Sequence, residues 1–335
     1  LPGDDQPDAE LITLSNLDAV VQHRLWQYLV HGGSENALDF IDYTAFLIGH
    51  ETEWREPRPL VRAGLYWPGL TKNDLDQIRS NWINARPVAT LVFYRALIQS
   101  GNLLAVDAII EGLIEVGLNP LPIFVVSLKD KVAAAILEDI LEEVSPAIIL
   151  NSTGFAVSAP GKDWDPGPFD IKVEPMILQV VFSGGNKASW QDETRGLSAR
   201  DIAMNVALPE VDGRVFTRAV SFKGSDRRDD LTQIDLVRYE PVKDRIGYVC
   251  RLAQAWVCLR ETDVSERRIG LILANYPNRD GRIGNGVGLD TPESVIQLLK
   301  AMKTTGYDVA NIPADGNALI DRLIAGPTNA VESLN

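Results

Sequence analysis

The chain has 335 residues and a formal net charge of −14, because its 46 acidic side chains outnumber its 32 basic ones. A protein this acidic repels a phosphate backbone, which argues against nucleic acid as a partner. Apolar residues make up 45% of the chain, enough for a sizeable core. No apolar run approaches the roughly 20 residues that span a bilayer, and two cysteines are too few for a disulfide framework. We therefore expect a cytoplasmic protein without a membrane span.

Residues 1–85 are predicted to form a mainly helical segment. The stretch 14–32, LSNLDAVVQHRLWQYLVHG, repeats apolar side chains at helical spacing, and glycines end the run. The stretch 34–50, SENALDFIDYTAFLIGH, repeats the pattern. A proline-containing stretch after it indicates an irregular connection and a boundary.

From residue 86 the pattern changes to apolar runs that alternate with helical periods. Continuous apolar runs are typical of strands that are covered on both faces. The predicted strands are 88–94, 120–128, 146–152 and 175–182, and the predicted helices between them are 104–117 and 131–144. This order is typical of a parallel, doubly wound sheet. The stretch 214–222 is predicted instead to be one arm of an antiparallel hairpin.

The C-terminal part repeats the same plan. A long helix at 243–262 is predicted to bridge two lobes, and a buried strand at 268–275 and a glycine-rich loop follow it. The predicted fold class is α/β, with two doubly wound parallel-sheet lobes, a helical N-terminal segment and a bridging helix. The expected segments are 1–85 (helical), 86–242 (first lobe with a β-hairpin insertion) and 243–335 (bridging helix and start of the second lobe).

Ligands of open α/β sheets bind beyond the carboxyl ends of the strands. The loops expected there are 94–103, 151–158, 183–190 and 275–290. We therefore predict that Tyr94, Arg95 and Asn151, which stand at the ends of two predicted strands, contact the substrate.

The fourth loop belongs to the stretch 275–294, NYPNRDGRIGNGVGLDTPES, and is the richest in glycine and polar groups. Its glycines follow the order G-x-x-G-x-G after a polar insert, so they do not match the dinucleotide fingerprint. A glycine-rich turn whose side chains satisfy its own backbone is one interpretation, and a large polar ligand is the other. Under the second interpretation, arginines pair with carboxylates, asparagines hold amides and an aspartate orients the arginines. These residues are Asn275, Asn278, Arg279, Asp280, Arg282 and Asn285.

The remaining candidates for chemistry have structural interpretations. The three histidines lie in the N-terminal segment without the clustered partners of a metal site. Cys250 and Cys258 share a predicted helix, where core packing explains them. No serine stands in a G-x-S-x-G turn. We therefore predict a binding protein without its own catalytic residues or metal site.

Four separated segments resemble one known family. They are 92–130 (VFYRALIQSGNLLAVDAIIEGLIEVGLNPLPIFVVSLKD), 168–184 (PFDIKVEPMILQVVFSG), 195–224 (RGLSARDIAMNVALPEVDGRVFTRAVSFKG) and 273–295 (LANYPNRDGRIGNGVGLDTPESV). In this order they resemble the large, tetrapyrrole-binding subunit of cobalt chelatases (CobN type), which is similar to the porphyrin-binding H subunit of magnesium chelatase. The chain looks like an N-terminal portion, since the family's later His-Gly…Glu-Trp-type segment does not occur in it.

The resemblance implies ATP-dependent insertion of cobalt into a corrin, hydrogenobyrinic acid a,c-diamide, during cobalamin biosynthesis. Separate AAA+ ATPase subunits hydrolyse the ATP with magnesium, cobalt is a substrate, and this chain binds no cofactor and is inactive alone. The carboxylates and amides of the corrin suit the arginines and asparagines of the glycine-rich loop. The alternatives are a porphyrin-binding magnesium chelatase subunit, a two-lobed small-molecule-binding protein without catalysis, and a nucleotide-dependent enzyme.

Overall fold

The computed structural model describes residues 9–70, 74–158, 167–192, 194, 196–274 and 283–326. The chain divides into two compact units, residues 1–257 and 258–335. No helix in the described ranges combines the length and the hydropathy that crossing a membrane demands.

The N-terminal segment is helical, as predicted. It contains α1 (Ala9–Leu14), α2 (Ala19–His31) and α3 (Gly33–Leu47). The two longer helices separate at Gly32, whose φ of 62° and closeness to the Gln99 carbonyl leave no room for a side chain. The segment is nevertheless continuous with the α/β part. Its strand β1 (Ala63–Leu65) joins the sheet, and its helix α4 (Leu75–Arg79) buries Ile78 in the core.

One seven-stranded sheet forms the centre of the first unit, among the residues that the structure describes. Its order is β1-β3-β2-β4-β5-β6-β7. The inner strands β2 to β6 pair in parallel, while β1 and β7 are antiparallel edge strands. The strands are β2 (Val88–Tyr94), β3 (Asn119–Val125), β4 (Ile148–Asn151), β5 (Met176–Ser183), β6 (Val215–Asp229) and β7 (Ile234–Pro241). This confirms the predicted α/β class and the four predicted parallel strands. The arm 214–222 proves to be both the fifth parallel strand and one side of the hairpin with β7.

Helices cover both faces of the sheet. They are α5 (Arg95–Gln99), α6 (Leu104–Glu115), α7 (Lys131–Val144), α8 (Lys187–Asp192), α9 (Ala199–Ile202), a π-helix (Ala203–Ala207), α10 (Leu208–Val211) and α11 (Lys243–Glu261). Buried side chains of α6 and α11 share one hydrophobic cluster, which includes Leu113 and Val249. Those of α7, such as Leu137 and Leu141, belong to a second cluster. The two clusters contain alternate residues of the same strands, so they lie on opposite faces of the sheet.

The predicted helix 243–262 is present as α11, but it packs on the core of the first unit through buried residues as far as Val257. The division of the chain into two compact units, between residues 257 and 258, falls within this helix. Cys250 is buried and Cys258 is exposed, so the prediction that both pack in the core is wrong for Cys258. Eight residues advance a helix by about 80° beyond two full turns, which turns the second thiol away from the core.

The second unit contains α12 (Thr291–Thr304) and α13 (Gly316–Ile324). Its small core consists of Val295, Ile296 and Leu319. The predicted strand 268–275 is wrong for residues 268–274, which have no regular secondary structure, and Asn275 lies outside the described residues. Ile272 is 97% exposed. A buried strand needs a neighbour to pair with, and the described residues of this unit contain no strand. The prediction of a second sheet is therefore not confirmed.

Candidate functional site

The strand order creates a switch point at the carboxyl edge of the sheet. The chain leaves β2 toward β3 on one side and then returns to β4 on the other side of β2. Loops that leave neighbouring strands in opposite directions open a crevice, where open α/β proteins bind ligands. Tyr94 ends β2 and Asn151 ends β4, so both predicted residues stand at this point.

A cavity of about 520 Å³ lies at this edge. Three of the loops predicted to bind ligand, 94–103, 151–158 and 183–190, meet on its wall. They contribute Tyr94, Leu97, Ser152, Phe155, Gly184 and Gly185. The remaining wall comes from β5, β6, β7 and the helical stretch that begins at Ser198 and includes the π-helix. Its residues are Phe182, Lys223, Tyr239, Ser198, Arg200, Asp201, Met204 and Asn205.

Asn151 does not line the cavity but fixes the backbone of the loop that does. Its side chain is completely buried, and its amide donates to the Gln179 side chain (2.8 Å) and to the Thr153 carbonyl (3.1 Å). Gln179 donates to the same carbonyl at 2.9 Å. These bonds satisfy polar groups that would otherwise be stranded in the core, and they fix the turn that follows β4.

Tyr94 and Arg95 have different environments. Tyr94 lines the cavity and donates its hydroxyl to the Gly154 carbonyl at 3.2 Å, across the switch point. Burial raises the pKa of the Tyr94 phenol, so it remains a donor at neutral pH. Arg95 does not line the cavity. The residue is buried, with 9% of its surface exposed, and its guanidinium donates to the Leu60 carbonyl.

Asp201 is the one carboxylate on the cavity wall among the described residues. One of its oxygens accepts from the hydroxyls of Ser183 (2.7 Å) and Ser198 (3.2 Å). The other accepts from the backbone of Gly184 (3.1 Å) and from the Asn205 amide (3.3 Å). Four donors saturate the carboxylate, so its role is to hold the 183–185 loop against the helix.

The cavity combines aromatic faces with two cations. Phe182 and Tyr239 pack with ring centroids 6.2 Å apart, and the Lys223 ammonium lies 5.7 Å from the centre of the Tyr239 ring. Lys223 and Arg200 are solvent-exposed on the wall. These two cations outnumber the one carboxylate, Asp201, so the described cavity wall carries a net positive charge within a protein of net charge −14. It suits a flat, apolar body that carries carboxylates at its edge.

A second cavity of about 270 Å³ lies on the other side of the turn 154–157 and is also lined by Tyr94 and Phe155. Asp212 fixes this turn by accepting from the backbone of Val157 (2.7 Å) and Ser158 (2.9 Å). Arg214 pairs with Asp212 at 2.6 Å, and both side chains are buried. Sequence reasoning missed this pair. The available signal was the charged triplet D-G-R directly before an apolar strand.

The other predicted substrate-binding residues belong to the glycine-rich loop. Asn275, Asn278, Arg279, Asp280 and Arg282 lie outside the described residues. Asn285 is described and exposed in the second unit. The described residues contain no group of three or more histidine, cysteine or carboxylate side chains that could hold a metal ion.

Comparison with known proteins identifies the family. The model of the CobN/Magnesium Chelatase family matches residues 26–335. The chain belongs to this family. It is 46% identical to an aerobic cobaltochelatase subunit CobN from a Sinorhizobium species, over 98% of this chain and 26% of that protein. It is 44% identical to the corresponding Pseudomonas aeruginosa subunit, over 100% of this chain and 27% of that protein.

More distant members of the CobN/Magnesium Chelatase family also match. The chloroplastic magnesium-chelatase subunit ChlH of Oryza sativa is 25% identical, over 97% of this chain and 24% of that protein. The solved catalytic subunit of cobaltochelatase from Mycobacterium tuberculosis superposes with a TM-score of 0.75 at 28% identity, over 96% of this chain and 26% of that one. The chain thus spans about a quarter of the length of these relatives.

Proposed function

We propose that the chain is the tetrapyrrole-binding part of the large subunit of a cytoplasmic cobalt chelatase, acting in cobalamin biosynthesis. The proposed substrate is a corrin, hydrogenobyrinic acid a,c-diamide. The observation that carries the proposal is the switch-point cavity of about 520 Å³, where aromatic side chains and two cations face the same space. A corrin has a flat apolar body and peripheral carboxylates, and both parts find partners there.

The choice of cobalt over magnesium rests on similarity. The chain is 46% and 44% identical to two cobaltochelatase subunits, against 25% for the magnesium-chelatase subunit of rice. In the proposed assembly, separate AAA+ ATPase subunits hydrolyse ATP with magnesium, and cobalt is a substrate. The chain alone is expected to be inactive, because Asp201, the carboxylate on the described cavity wall, is saturated by its own hydrogen bonds.

Titration of the chain with hydrogenobyrinic acid a,c-diamide, followed by quenching of tryptophan fluorescence, tests the proposal. Removing a cation from the cavity wall by Arg200→Ala or Lys223→Ala should weaken binding about three- to tenfold, because each loses a charge-assisted contact with a carboxylate. Lys172→Ala is the matched control. Lys172 is an exposed lysine that precedes β5, at the opposite edge of the sheet.

Unchanged affinity in both cavity variants would contradict the placement of the ligand. Absence of binding to the unsubstituted chain would contradict the proposed function itself. A titration with a dicarboxylate porphyrin in parallel separates the two branches of the family, since the cobalt proposal predicts tighter binding of the corrin.

A further inference from the structure

Phe155 adopts an unusual backbone conformation on the wall of both cavities. Its φ of 64° lies in the left-handed region, which a bulky residue without an amide or carboxyl side chain rarely enters. Its side chain is 49% exposed although it is large and apolar. Strain of this kind persists only where surrounding contacts impose it, and it occurs preferentially at functional sites.

The contact that holds Phe155 in this backbone conformation comes from the π-helix. In this helix the backbone N–H of Leu208 donates to the carbonyl of Ala203, five residues earlier. The next such donor would be residue 209, but Pro209 has no N–H. The Met204 carbonyl therefore lacks its partner within the helix, and it accepts instead from the backbone N–H of Phe155 at 2.8 Å.

Gly154 brings the turn close enough for this bond. A β-carbon at this position would lie 3.0 Å from both the Met204 carbonyl oxygen and the Asn205 side-chain oxygen. The Tyr94 hydroxyl holds the Gly154 carbonyl from the other side at 3.2 Å. The turn is thus fixed from two directions, and the Phe155 ring is directed to the cavity walls.

We propose that Phe155 is the residue that stacks against the flat face of the tetrapyrrole, and that Pro209 and the π-helix position it for this contact. The inference rests on the proposed function and specifies how the ring is oriented. In this arrangement the face of the tetrapyrrole lies on the Phe155 side chain. The peripheral carboxylates of the tetrapyrrole then point toward Arg200 and Lys223 on the wall of the same cavity. An aromatic ring that the backbone holds in place loses little conformational entropy on binding.

Phe155→Gly tests the stacking contact in the titration with hydrogenobyrinic acid a,c-diamide. Binding should weaken about 10- to 100-fold, by analogy with the loss of a stacked ring. The variant should melt at or above the temperature of the unsubstituted chain, because glycine adopts a positive φ without strain. Phe155→Trp should retain binding. Phe216→Ala is the control, since Phe216 is 43% exposed near the start of β6, away from both cavities.

Pro209→Ala tests the positioning. It supplies an N–H that competes with Phe155 for the Met204 carbonyl while leaving the cavity side chains intact, and it should weaken binding less than Phe155→Gly does. Retained affinity in Phe155→Gly would overturn the stacking inference while the proposed function stands. Failure of the unsubstituted chain to bind the corrin would overturn both.

Discussion

Asp212 and Arg214 form a buried ion pair that fixes the turn 154–157, which contains Phe155. Burial lowers the pKa of the Arg214 guanidinium, and the neighbouring Asp212 opposes this effect. Two guanidinium nitrogens of Arg214 have no hydrogen-bond partner among the described residues. The cation thus depends on one carboxylate, whereas Asp212 also accepts from the backbone of Val157 and Ser158. Asp212 therefore has more hydrogen-bond partners than Arg214 has.

Because the two residues differ in their number of partners, substituting Asp212 should lower the free energy of unfolding more than substituting Arg214. Asp212→Asn should lower the free energy of unfolding by about 3–5 kcal/mol, because it leaves a buried cation without its counter-charge. Arg214→Met should cost less, about 1.5–3 kcal/mol, because Asp212 keeps two backbone donors. Equilibrium unfolding in urea measures both values. An Arg214→Met variant that is less stable than Asp212→Asn would show that the carboxylate, not the cation, is the dependent partner.

At the scale of elements, α6 and α11 approach each other closely at Gly112. A β-carbon at Gly112 would lie 2.9 Å from the Cys250 sulfur and 3.3 Å from a methyl carbon of Ile246. Cys250 is fully buried in this contact, and burial raises the pKa of its thiol to about 12. The thiol therefore stays protonated and packs as an apolar group.

Gly112→Ala should destabilise the protein by about 1–3 kcal/mol, because crowding of Cys250 outweighs the gain of about 1 kcal/mol in helix propensity. Urea unfolding of Gly112→Ala, Cys250→Ala and the double variant forms the test. The cost of Gly112→Ala should shrink when Cys250 is already alanine, since the sulfur is then absent. An equal cost in both backgrounds would locate the strain elsewhere.

Apolar periodicity predicted most of the first unit because the buried strands and their covering helices have strong patterns. The same signal failed at 268–274, where an apolar run has no partner strand among the described residues. It also missed β7, which is largely exposed and lacks an apolar run. Of the candidate site, Tyr94 and the loops followed from strand order. Arg200, Lys223 and Phe155 did not, since their convergence depends on the π-helix and on tertiary packing.

On the scale of the whole molecule, the first unit contains the sheet, the switch point and both cavities at its carboxyl edge. An acidic protein would repel a polycarboxylate ligand, yet this unit presents two cations and several aromatic rings around one crevice. The proposed ligand, a corrin, has matching chemistry, with a flat apolar body and carboxylates at its edge. The contact of the glycine-rich loop 275–290 with the tetrapyrrole, through the cations Arg279 and Arg282, stays a prediction.

Hydrogen–deuterium exchange of the chain, with and without hydrogenobyrinic acid a,c-diamide, tests the central claim most directly. It reports which backbone segments the ligand protects without any substitution. We predict slower exchange in the loops 94–103, 151–158 and 183–190 when the corrin is bound, while α12 and α13 exchange as in the free chain. Saturating corrin binding that leaves all three loops unprotected would contradict the assignment of the switch-point cavity as the tetrapyrrole site.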